Sequence, residues 1–287
     1  MLPDNTLELD GFRVGGIGNP VRLVGIAVES GGIRSADAFN PVGENRLFGR
    51  DYAGPPVFRI RMRVSARTGE AAAAARAGLE VAWDAASVRA TPGTESVLRL
   101  FRAGRVLRVY GRARGLISVE DRTHYMGRVL LEGTFHLSEG LYFSDDVQSL
   151  SVGLIAVNAG GLRAPLRAPL TASPGSSRQG LVTVGGDSPA PVEVVFAGPV
   201  TNPVASSTDW QIGLNATLAY DQTVTVNART GTALRNDGVS LAGALTRRTY
   251  LPEARMRPGA REIVFAGTDP TGLSSCTVRW RNTYKSF

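Results

Sequence analysis

Val194–Pro203, VVFAGPVTNP, and Ile263–Gly272, IVFAGTDPTG, are two versions of one phrase. Each is an apolar run centred on a Phe that breaks at Ala-Gly into a turn built from Pro, Asn or Asp. Short runs rich in Val, Ile and Phe, bounded by turn formers, read as strands. The second version continues as SSCTVRWRNTYKSF, in which Cys276, Val278 and Trp280 alternate with polar residues, so another strand follows. The two phrases are therefore expected to be two structural strands of one sandwich, with no chemistry of their own.

Reading outward from them, residues 181–287 show no helical periodicity. VTV, VEVVF, WQIGLNATLAY, TVTVNA, VSLAGAL, REIVF and CTVRW alternate with turns, the pattern of an all-β sandwich. Upstream, LRAPLRAPLTASPGSSRQG (162–180) favours extended, flexible chain. A linker is expected at 166–180, separating an N-terminal domain, 1–165, from the sandwich. In the N-terminal domain, Phe58, Ile60, Met62 and Val64 alternate with Arg59, Arg61 and Arg63. Successive side chains of a strand point to opposite faces, so an aliphatic face packs inward and an arginine ladder faces out. GEAAAAARAGLEVAWDAAS (69–87) is the one helix expected, with Thr68 or Ser65 as cap. Residues 29–55, rich in Gly, Asn and Asp, read as a long loop, and loops of that length tend to be functional or to lie across a neighbour. Fold class is expected to be mainly β: a sandwich or barrel-like N-terminal domain with one inserted helix, an α+β arrangement, then an all-β sandwich.

Composition narrows the function. A chain of 287 residues, 43% hydrophobic and 20% charged, can bury one large core or two ordinary ones. Net charge is +7, almost all of it arginine, since Lys285 is the one lysine. That balance permits weak contact with nucleic acid but does not demand it. MLPDNTLELDGF lacks the basic and apolar segments of a signal peptide, and no stretch is long and apolar enough to span a bilayer. Synthesis and folding in a cytoplasm, without membrane insertion, are expected.

No motif carries chemistry. His124 and His136 match no metal spacing, and Cys276 has no partner for a disulfide or a cysteine cluster. A buried core thiol is expected there. Asp145-Asp146 read as a solvated turn. Gly15-Gly16-Ile17-Gly18 lacks the context of a phosphate loop. Catalytic residues, metal ligands and cofactors are therefore expected to be absent. Two interaction features remain. Arg59, Arg61 and Arg63 are candidates for a subunit interface, suited to acids on a neighbouring strand or subunit or to phosphate. Trp210 and Tyr220 are candidates for stacking on a sugar, although core aromatics of a sandwich explain them as well.

The order of these segments resembles the distal tail protein family of long, flexible-tailed bacteriophages. Residues 234–287, LRNDGVSLAGALTRRTYLPEARMRPGAREIVFAGTDPTGLSSCTVRWRNTYKSF, carry most of the resemblance, with an Asn-Asp-Gly turn, Pro258-Gly259 before the Ile-Val-Phe strand, and a closing Val-Arg-Trp-Arg strand. PPVFRIRMRVSART and the helix after it (55–87) are a second match. The resemblance implies a non-enzymatic virion protein of the tail tip or baseplate, assembled in the bacterial host cytoplasm. It implies a homo-oligomeric ring, a hexamer, made by the N-terminal domain on the tail tube protein. A galectin-like C-terminal sandwich would face hub or fibre proteins, and the lumen would pass the tape measure protein and then DNA. The alternative kept beside it is a carbohydrate-binding or adhesin module using the C-terminal sandwich.

Overall fold

The computed structural model describes residues 5–119, 128–154, 179–269 and 271–287. Fold class is as expected: mainly β, with one helical segment in the first half. The chain forms two compact units, Met1–Asp145 with Lys285–Phe287, and Asp146–Tyr284.

The first unit opens with β1 (Thr6–Leu9), β2 (Phe12–Val14) and β3 (Val21–Glu29). Four two-residue strands follow: β4 (Ile33–Arg34), β5 (Ala38–Phe39), β6 (Arg46–Leu47) and β7 (Tyr52–Ala53). Then come β8 (Val57–Ser65), helices α1 (Gly69–Asp84) and α2 (Ala86–Ala90), β9 (Ser96–Arg102), β10 (Arg105–Val119), β11 (Arg128–Leu137) and β12 (Tyr142–Ser144). The main sheet runs β2-β1-β9-β10-β11-β8-β3, every pairing antiparallel. The alternation of β8 holds to the residue: Phe58, Ile60, Met62 and Val64 are fully buried and the arginines between them are exposed.

Helix α1 covers the buried face. The Thr68 hydroxyl accepts from the Ala71 amide, capping one of the free N–H groups of the first turn. Ala72, Leu79 and Trp83 are its buried residues. Trp83 lies flat on the sheet because position 133 is glycine: a Cβ there would sit 2.3 Å from the indole ring. The indole N–H donates to the Gly115 carbonyl at 3.2 Å. The helix expected over 69–87 instead breaks at Ala85, which takes the left-handed conformation (φ 41°), and a short second helix begins.

Residues 30–54 are not an irregular loop. Ile33 and Arg34 pair with Ala53 and Tyr52, and Ala38 and Phe39 with Leu47 and Arg46, so the segment is a β-arm growing from β3 and β8. The ladder of the parent hairpin closes beneath it at Glu29↔Val57.

The second unit holds β13 (Gln148–Gly153), β14 (Gln179–Val184), β15 (Ala190–Pro191), β16 (Glu193–Ala197), β17 (Val200–Ser206), β18 (Gln211–Gly213), β19 (Thr217–Leu218), β20 (Thr223–Asn227), β21 (Thr232–Arg235), β22 (Arg255–Met256), β23 (Gly259–Thr268) and β24 (Ser275–Trp280). Two sheets, β13-β24-β16-β20-β21 and β14-β23-β17-β18, enclose one core. The doubled phrase supplies a strand to each: β16 lies in the first sheet and β23 in the second. Phe196 and Phe265 stack at 6.0 Å between ring centres, both fully buried. β13 enters this unit by pairing along β24, Leu150 opposite Val278. The two compact units meet in the chain at Asp145/Asp146. Most of the expected linker, 166–178, lies outside the described residues.

Candidate assembly surface

The face of the main sheet opposite α1 carries the arginine ladder, and cross-strand register sorts it into rows. Residues directly opposite one another on neighbouring strands share a face and interact. Thr134, Arg59 and Ala27 form one row, and Glu132, Arg61 and Gly25 the next. Arg59 pairs with Glu29 and lies 3.6 Å from Glu132. Arg61 Nε donates to Glu132 Oε2 at 3.0 Å. These two arginines are thus matched within the chain. Leu130, Arg63 and Arg22 form the third row. Arg63 and Arg22 are exposed and directly opposite, and among the described residues neither has a carboxylate partner. Like charges opposite on a ladder are destabilising, and this row is the part of the ladder without a carboxylate partner among the described residues. Val24, Ile117 and Leu130 stand exposed on β3, β10 and β11.

The sheet also has unpaired edges. Among the described strands β3 pairs with β8 alone; beyond Val21, whose carbonyl accepts from the Gly15 amide at 2.8 Å, its other edge carries no ladder. β10 pairs with β9 only over Arg105–Gly111, while its 112–119 half pairs with β11 on one side and with no described strand on the other. Both strands carry a bulge, between Leu23 and Gly25 and between Ala113 and Leu116. Open edges are templates for another strand unless covered.

The β-arm adds apolar surface. Phe39, Val42 and Phe48 are 77%, 93% and 82% exposed. Arginines of the arm cover part of its aromatic surface: Arg46 lies 5.0 Å from the Phe39 ring centre and Arg50 5.2 Å from that of Tyr52. Exposed aromatics grouped on one projection mark a contact site.

The remaining candidates fall elsewhere. Trp210 is 6% exposed and belongs to the sandwich core, so its ring has no free face for a sugar. Tyr220 is exposed between β19 and β20. The expected pair is therefore not one platform. His136 is exposed on β11, while His124 lies outside the described residues. Cys276 is buried, and burial pushes its thiol up to about 12, which leaves it protonated and unreactive. Asp145 is not a solvated turn residue. It bridges Arg99, at 3.0 Å, and Arg108. Burial alone would raise its carboxyl, but the hydrogen bonds and charges of Arg108 and Arg99 outweigh this and hold it below the ordinary carboxylate range. Among the described residues no group of His, Cys, Asp or Glu is arranged to hold a metal, and no helix is long and apolar enough to cross a membrane. Sequence reading missed Arg22, Glu29 and Glu132, because their roles are set by strand register, which alternation alone does not reveal.

No known family profile matches the chain, and neither does any curated protein. Solved structures do. The crystal structure of the Dit protein of phage SPP1, described there as a hub of the adsorption apparatus in phages infecting Gram-positive hosts, aligns with a TM-score of 0.59. The alignment covers 97% of this chain and 98% of that one at 10% identity. The phage P2 baseplate in its activated, calcium-bound conformation gives a TM-score of 0.52 at 9% identity, covering 96% of this chain and 97% of that chain. Its strontium form gives the same values. From end to end, then, this chain has the fold of the SPP1 Dit protein, and the resemblance to distal tail proteins holds at the level of architecture.

Proposed function

We propose that the protein is a structural, non-enzymatic component of a phage tail tip that assembles with copies of itself through its N-terminal unit. The observation carrying this reading is that the unit leaves its bonding capacity unspent: two open strand edges, an apolar β-arm and an unneutralised Arg22–Arg63 row. Edges of a sheet and an arm that match a different surface on the next copy generate a head-to-tail interface, which closes into a ring when the rotation allows. The family resemblance implies six copies, stacked between the tail tube and hub or fibre proteins, with a lumen for the tape measure protein and DNA. The carbohydrate-binding alternative loses Trp210 to the core and keeps only the single exposed Tyr220.

Native mass measurement and negative-stain imaging of the purified chain, alone and with tube protein, test the proposal. Closed rings or a defined complex with the tube are expected. A strict monomer at high concentration that associates with neither tube nor hub protein would overturn it.

A further inference from the structure

A basic pocket lies where the face of the main sheet opposite α1 meets the start of β9. The β9–β10 ladder closes at Ser96↔Gly111, so the next residue of β10, Arg112, stands at the head of the edge that no described strand covers. Arg112 is directly opposite His136 on β11, and directly opposed residues share a face. A cavity of about 380 Å³ opens there, walled by Thr94, Glu95, Arg112, Arg114, His136 and Leu137. The Arg112 fork is fixed before any ligand arrives. Its Nε donates to the Thr94 carbonyl at 2.9 Å and Nη2 to the Thr91 carbonyl at 2.8 Å. Both acceptors belong to the turn between α2 and β9. Two neutral carbonyls hold the guanidinium without cancelling its charge, and the N–H groups of Nη1 stay unspent among the described residues. Arg114 lines the same cavity, is exposed, and has no carboxylate partner among the described residues. Glu95 has a partner of its own. The wall therefore sets two guanidinium groups against one carboxylate.

We propose that this pocket receives a carboxylate side chain from a protein segment lying extended along the uncovered edge of β10. A guanidinium whose fork is already oriented bonds a carboxylate bidentately and gives up little freedom in doing so. The strand edge sets the class of partner, because its N–H and C=O groups pair with backbone amides, which nucleic acid lacks. A second concavity, of about 260 Å³ and walled by Trp83, Arg114, Leu116 and Ser118, flanks the same stretch of β10. Leu116 and Ser118 lie opposite Gly133 and Leu131, on the face that α1 covers. The bulge between Ala113 and Leu116 leaves Arg114 lining both cavities. Successive side chains of an added strand point to opposite faces. One set would meet the basic cavity and the other the cavity beside Trp83, so the matching segment alternates acids with uncharged residues.

The test uses the full chain, isotope-labelled, with two capped peptides, Thr-Val-Glu-Val-Glu-Val-Thr and its Gln counterpart. Saturable binding of the Glu peptide by millimolar concentration is expected, with shifts at Arg112 Nε and His136 and slowed hydrogen exchange at 112–118. The Gln peptide should bind about tenfold more weakly. Arg114→Gln, which alters an exposed side chain, should weaken the Glu peptide about tenfold. Arg112→Lys keeps the charge, loses the fork and should weaken it as much. Equal binding of the two peptides overturns the proposal. So does the absence of saturable binding, an Arg114→Gln chain that binds as tightly as the parent, or undiminished binding of a Glu peptide N-methylated at alternate residues. An eight-residue oligothymidylate that takes the pocket in place of the Glu peptide makes it a phosphate site and overturns the proposal. Slowed exchange at 112–118 that grows with protein concentration alone gives the edge to a second copy, with the same result.

Discussion

At the scale of single residues, two buried features set the stability of the units. Gly133→Ala drives a methyl group into the Trp83 ring. Over-packing of this kind costs about 1–3 kcal/mol, so the urea midpoint should fall, and Trp83 fluorescence should report displacement of the indole from Gly115. In the second unit, Asp269 is fully buried and accepts from the Thr271 amide at 2.7 Å, the Thr271 hydroxyl at 2.6 Å and the Ser274 amide at 2.8 Å. Burial would raise this carboxyl, but these donors prevail and hold it far below the usual range. Asp145 is depressed as well. A carboxyl with a lowered folded pKa stabilises fully above its unfolded value, near about 4, and loses that contribution as pH falls below it. Urea midpoints should therefore drop between about pH 4 and pH 2, and an Asp145→Asn, Asp269→Asn chain should show a shallower drop from a lower start. The ladder makes a third test. Arg22→Glu with Arg63→Glu should abolish assembly while leaving the melting temperature of the protomer within a few degrees. Arg59→Ser with Arg61→Ser, which breaks only exposed pairs, should change assembly little, because such pairs contribute about 0–1 kcal/mol. Equal ring yield from the two double variants would remove the Arg22–Arg63 row from the interface.

The elements show what the sequence makes legible and where it stops. Period-two alternation in β8, and the apolar runs at Phe196 and Phe265, are one-dimensional signals of burial, and each strand forms where they lie. The Ala-rich run gives α1 with its Thr68 cap, yet the stop at Ala85 has no local signal, since a left-handed alanine is held by its surroundings and not by preference. The arm was hidden for a different reason. Its strands are two residues long and separated by Gly, Asn and Asp, so neither alternation nor run length accumulates. Its pairing appears only in the register of Ile33 with Ala53 and Ala38 with Leu47. β13 escaped because QSLSVG alternates weakly, and its place depends on Val278 and Cys276 across the sheet. The site suffered most: Glu132 neutralises Arg59 and Arg61 from 70 or so positions away, a relation of register alone. The arm also yields the test at this scale. Because Glu29 already pairs with Val57, joining the two by a short turn in place of residues 30–54 should leave the melting temperature of the protomer within a few degrees and prevent ring formation. Rings at parental yield would show that the arm is dispensable.

For the molecule as a whole, the two units reflect two uses of β structure. The second unit buries the doubled phrase on both sides of one core, whereas the first keeps edges, an arm and a row of charge exposed. The register at Glu29↔Val57 has a consequence for mixtures of chains. If the arm grips the next copy in a ring, as proposed, an armless copy would keep the gripped surface while offering no arm of its own, and would enter a growing ring and block the next position. Such a copy is a poison, and its potency measures the number of seats. If six copies must all be intact, an equal mixture leaves roughly 2% of complete rings, whereas a dimer would leave roughly a quarter. Coexpressing the two chains and plotting intact particles against their ratio would therefore count the subunits without an image of the assembly.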